Sequence, residues 1–124
     1  MISDGRGERA PLDYAIDACS RQGAMIDLLV HGVVDPTSIS ALENRIRAAD
    51  LDCHRIQLGM NPGDDIVDYI RSQPSLIFLV ASSDDDVAKV LIVDVIPRRG
   101  RRVPVPLVLI EDRSFARSAK KSAA

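Results

Sequence analysis

Aromatic residues are nearly missing from this 124-residue chain: they make up 3%, and there is no tryptophan. That removes the stacking platforms on which single-stranded nucleic acids are read, and it leaves the core to Val, Ile, Leu and Ala. Cysteine is scarce as well. Cys19 and Cys53 stand far apart without a Cys-x-x-Cys or other ligand spacing, so they signal neither a disulfide framework nor a zinc site and read as reduced, part-buried thiols. Net charge is only −2, which provides no global field to gather nucleic acid or an anionic membrane. No apolar run approaches the roughly 18 residues needed to span a bilayer. With a polar start to the chain, a cytoplasmic protein is expected. There is no Gly-rich phosphate loop, and the acids at 84–86 lack the spacing and glycine of a calcium loop, so no metal is expected.

What is present is 46% hydrophobic and 27% charged, enough for one core and too little for two. Residues 1–10, with Gly5, Gly7 and mixed charge, read as a flexible arm, residues 11–112 as a single α/β domain and residues 113–124 as a polar tail. Leu12, Ile16 and Cys19 recur at helical spacing and predict a helix over 11–23, stopped by Gly23. Residues 25–30 form a first apolar strand. Asp35-Pro36 then reads as an N-cap followed by proline at the first helical position, with Ile39, Leu42 and Ile46 on the core face. Residues 52–58 alternate as an edge strand.

Pro62-Gly63 fits the centre of a type II turn, followed by Asp64 and Asp65 at a helix start and by Ile66, Val67 and Ile70 on one face. Residues 76–81 make a central strand and 103–110, with two prolines, an edge or near-edge strand. Segment 87–96 fits either a helix or a hairpin strand. Three acids before it and arginines after it favour the helix; its β-branched residues favour the strand. Strands separated by helices imply βαβ units and a mainly parallel sheet.

Three segments carry a resemblance. Asp27-Leu28-Leu29-Val30-His31-Gly32, Leu58-Gly59-Met60-Asn61-Pro62-Gly63, and the run from Arg98 through Val103-Pro104-Val105-Pro106-Leu107-Val108-Leu109 follow the order and spacing of three boxes of the Toll/interleukin-receptor (TIR) family. The chain resembles a shortened TIR domain over residues 26–112. Leu58-Gly59 stands where that family carries Arg-Asp, so recognition at this loop must rest on backbone shape and Met60. The resemblance implies a three-layer, flavodoxin-like sheet with helices on both faces and strand order 2-1-3-4. Ligands of such sheets bind outside the carboxyl ends of the strands, where the order reverses. That places His31, Gly32, Val33 and Asp35 opposite Ser82, Ser83 and Asp84 in one crevice.

The resemblance further implies a signalling or defence module, with lost or weak NAD cleavage, that assembles with itself or another TIR-like domain through Gly59, Met60, Asn61, Pro62 and Gly63; excess apolar surface at Ile92, Val93 and Ile96 offers a second contact. No cofactor is required. The competing reading is an NAD glycohydrolase: Asp94 alone holds a carboxylate at the position matching the family's catalytic glutamate, and would stabilise positive charge developing on the ribose. Its bland alternative is a surface carboxylate paired with Arg98 four residues on. A third reading is a nucleotide-binding domain without chemistry. His31 reads equally as a general base or as a backbone-bonded strand end. Arg98, Arg99, Arg101 and Arg102 form the only basic cluster, which reads as a solvated helix end rather than a nucleic-acid site.

Overall fold

A computed structural model describes residues 1–5, 9–99 and 105–111. Strands and helices alternate along them: β1 (Ile2–Ser3), α1 (Arg9–Gln22), β2 (Ile26–Val30), α2 (Pro36–Ala48), β3 (Cys53–Gln57), α3 (Pro62–Ser72), β4 (Leu79–Ser82), α4 (Asp86–Val90), a π-helical turn (Leu91–Val95), α5 (Ile96–Arg99) and β5 (Leu107–Ile110). Every strand pairing among the described residues is parallel. The chain is an α/β protein with parallel strands, as the alternation of apolar runs and amphipathic helices requires.

The pairing differs from the expected order. β2 lies between β1 and β3, while β4 pairs with β5. The anticipated neighbour of β2 was β4; β1 takes that place instead, with Ile2 opposite Leu29 and Ser3 opposite Val30, and β1 in turn packs against β4. Residues 1–5 are therefore no flexible arm. Met1, Ile2 and Ser3 are all buried, since a strand apolar on both faces needs a partner on each edge. Residues 6–8, 100–104 and the expected tail at 113–124 lie outside the described residues.

Side chains leave β2 and β4 alternately into two cores. Ile26, Leu28, Val30 and Val80 join Leu12, Cys19, Ile39 and Ile46; Leu29, Leu79 and Ala81 join Ile66, Val67, Leu91 and Val95. α2 starts as expected: the Asp35 carboxylate accepts from the Thr37 amide at 3.2 Å, and Pro36 fills the first helical position, where no donor is needed.

The Pro62-Gly63 pair behaves differently from a type II turn. Both residues belong to the first turn of α3, and Gly63 is not among the glycines with positive φ. Glycine is needed there for space: a Cβ on Gly63 would lie 2.7 Å from Val95 Cγ2. Segment 87–96 is helical throughout, and the π-helical turn has a local cause. Pro97 cannot donate to the carbonyl one turn back, and widening the preceding turn accommodates that loss while keeping Leu91 and Val95 buried.

Candidate functional site

The carboxyl ends of β1, β2 and β4 converge. The His31 amide donates to the Ser3 carbonyl at 3.0 Å, which ties the end of β2 to the end of β1. Gly5 turns away with φ +81°, and a Cβ there would meet Val34 at 3.0 Å, so glycine is required on both counts. From β4, the Ser82 hydroxyl accepts from the Asp84 amide at 3.2 Å and the Ser82 carbonyl from the Asp85 amide at 3.0 Å, a tight turn that directs Asp85 inward.

Across this end runs a close buried pairing: His31 Nε2 and Asp85 Oδ2 are 2.7 Å apart, with only 10% and 1% of the two side chains exposed. The second oxygen of Asp85 accepts from the Ala88 amide at 2.9 Å and caps α4. Both carboxylate oxygens of Asp85 are thus engaged, and the pair ties the end of β2 to the start of α4.

The structure leaves the rest of the expected crevice open to solvent. Gly32, Val33, Asp35 and Asp84 are exposed and Ser83 is half-buried. The strand ends lead into Asp4, Asp35, Asp84 and Asp86, so a polyphosphate approaching them would meet like charge. No group of three His, Cys, Asp or Glu side chains among the described residues could hold a metal ion.

Asp94 stands elsewhere, on the π-helical turn. Its carboxylate is 62% exposed and accepts from Arg98 at 3.3 Å; Arg98 also approaches Asp64 at 3.8 Å. The surrounding depression, of about 340 Å³, is shared with Met60, Asn61, Pro62, Val90 and Val95, not with His31 or Ser82. The structure therefore brings Asp94 to the 59–63 loop, in a depression that Asp86 also lines. Of the basic cluster, Arg98 serves in this network, the side chain of Arg99 is not described, and Arg101 and Arg102 fall outside the described residues.

The loop itself is fixed at both ends. Leu58 is buried and its amide donates to the Val30 carbonyl at 2.8 Å; the Gly59 amide donates to Asp65 Oδ2 at 2.7 Å. At its tip Met60 is 98% exposed. Val90, at the end of α4, is exposed and lines the same depression, and Ile92 and Val93 are exposed in the turn that follows, Val93 by 78%.

Ser3 and Gly5 escaped sequence reasoning, and Asp85 was anticipated only as one of three acids at a helix start, without its link to His31. Asp85 carried a signal, as the acid placed three residues ahead of a helical alanine; the two-residue β1 carried none. Compared with protein-family models, curated proteins and solved structures, the chain has no match. No helix among the described residues is long and apolar enough to cross a membrane.

Proposed function

We propose that this chain is a protein–protein assembly module whose 59–63 loop docks on a second copy of the chain, as the TIR resemblance implies, in signalling or defence. One observation carries the reading. The loop and the exposed end of α4 share one depression, which Met60, Asn61, Pro62 and Val90 line together, and Ile92 and Val93 add exposed apolar surface in the turn that follows. Solvent-exposed apolar side chains gathered beside an ordered loop mark a contact surface more often than single ones do. The flanking charges suit self-association, because Asp64, Asp94 and Arg98 together present both signs beside the loop.

We read the fold as one three-layer sheet of order β3-β2-β1-β4-β5. Packing of β1 against β4 and the alternation of side chains between two cores support it. That order is not the 2-1-3-4 of the family resembled, so the TIR reading leans on the loop rather than on the sheet. NAD cleavage has less support: an exposed carboxylate already paired with Arg98 stabilises a developing ribose cation weakly compared with a desolvated one. A photo-crosslinker at position 60 tests the occupant. Capture of a second copy is expected, and recovery of uncrosslinked monomer alone at high protein concentration contradicts it.

A further inference from the structure

From Asp86 to Arg99 the chain is one helical run, with α4, the π-helical turn and α5 following without a break. Ala88, Leu91 and Val95 bury one side of it in the core shared with α3. The other side is open. Asp86, Lys89, Val90, Val93, Asp94 and Arg98 all stand exposed on it at helical spacing. The π-helical turn takes up one extra residue, which rotates Arg98 back towards the line of Asp86 and Val90. Ile92 and Pro97 are exposed as well and carry no charge.

The order of these side chains is complementary to its own reverse. From the amino end it runs acid, base, valine, valine, acid, base; turned end for end it runs base, acid, valine, valine, base, acid. Two such runs laid antiparallel match at every position: Asp86 meets Arg98, Lys89 meets Asp94 and Val90 meets Val93, each pair occurring twice. A parallel two-fold arrangement would set every charge against its own copy. Resting on the self-association proposed for the 59–63 loop, we propose that two copies of the chain meet along this helical face, antiparallel across a two-fold axis and in that register.

The charges are available for such a contact. Asp86 and Lys89 are one turn apart and of opposite sign, yet among the described residues neither side chain forms an ion pair. Arg98 approaches Asp94 at 3.3 Å and Asp64 at 3.8 Å, and the several donors of a guanidinium accommodate a further carboxylate. Packed helix axes lie roughly 8–10 Å apart, a separation that Lys and Arg side chains bridge to a facing carboxylate. Val90 shares the depression of about 340 Å³ with Met60 and Pro62, so the loop borders the apolar centre of the contact. Ion pairs at its ends fix the register and make association sensitive to salt.

The test is a charge exchange read by sedimentation velocity of the full chain at low ionic strength. Lys89→Glu and Asp94→Lys, each measured alone, set like charges face to face and should weaken self-association about tenfold or more. An equal mixture of the two variants should recover it. In the mixed dimer the introduced acid faces the introduced base, while the native Asp94 of one chain faces the native Lys89 of the other. Recovery also shows that both variants are folded. A wild-type chain that stays monomeric overturns the register together with the loop reading. A wild-type dimer that Met60→Lys weakens but the two charge variants leave unchanged, or a mixture that associates no better than its components, overturns the register alone.

Discussion

Asp85 joins two elements through one carboxylate, clamping His31 at the end of β2 and capping the first turn of α4. Replacing it with alanine strands a buried imidazole and uncaps the helix together, for which a loss of roughly 2–4 kcal/mol is expected. Urea denaturation of Asp85→Ala measures it; a loss within error of zero contradicts the clamp. Three further residues set an alkaline limit. Burial is the main cause that raises the Cys19 and Cys53 thiols above their ordinary value, Glu43 adding to it at Cys53. Burial, then the hydrogen bond to Asp27, holds the Tyr69 phenol far above its own. The native state therefore keeps protons that the unfolded chain releases. This stabilisation is whole below the unfolded thiol pKa of about 8.5 and is lost as pH rises toward the folded values. Denaturation midpoints should fall between about pH 8.5 and 10.5, and less steeply in the Cys19→Ala/Cys53→Ala double variant.

Among the elements, α3 and the π-helical turn meet at a single glycine. Gly63→Ala drives a methyl against Val95 and should cost about 1–3 kcal/mol, while Val95→Ala in the same chain should return part of it. A double-mutant cycle reads the coupling, and simple additivity would show that the two elements do not touch there. This contact explains what the sequence could and could not disclose. Pro62-Gly63 marked the place where β3 gives way to a helix, but the reason for the glycine lies thirty-two positions downstream, and no local pattern reveals it. Long amphipathic segments such as α2 were legible from their periodicity and caps. β1 was not: two residues carry no periodicity, and its burial depends on pairing with β2 and packing against β4. The anticipated crevice was legible as a set of strand ends, whereas the clamp across it depends on two residues 54 positions apart.

For the whole molecule, β1 pairs along the edge of β2, and the proposed face for a partner is the 59–63 loop. Asp94 is tied to Arg98 beside the loop, so on the proposed reading Asp94→Ala should disturb association, and no release of nicotinamide from NAD is expected with or without the substitution. Sedimentation velocity of the full chain over a wide concentration range, beside a Met60→Lys/Val93→Lys variant, tests the central claim most directly. The account predicts reversible dimer formation that the variant weakens about tenfold or more, since two charges are forced into an apolar contact. A wild-type chain that stays monomeric throughout, or a variant that associates equally well, would contradict it.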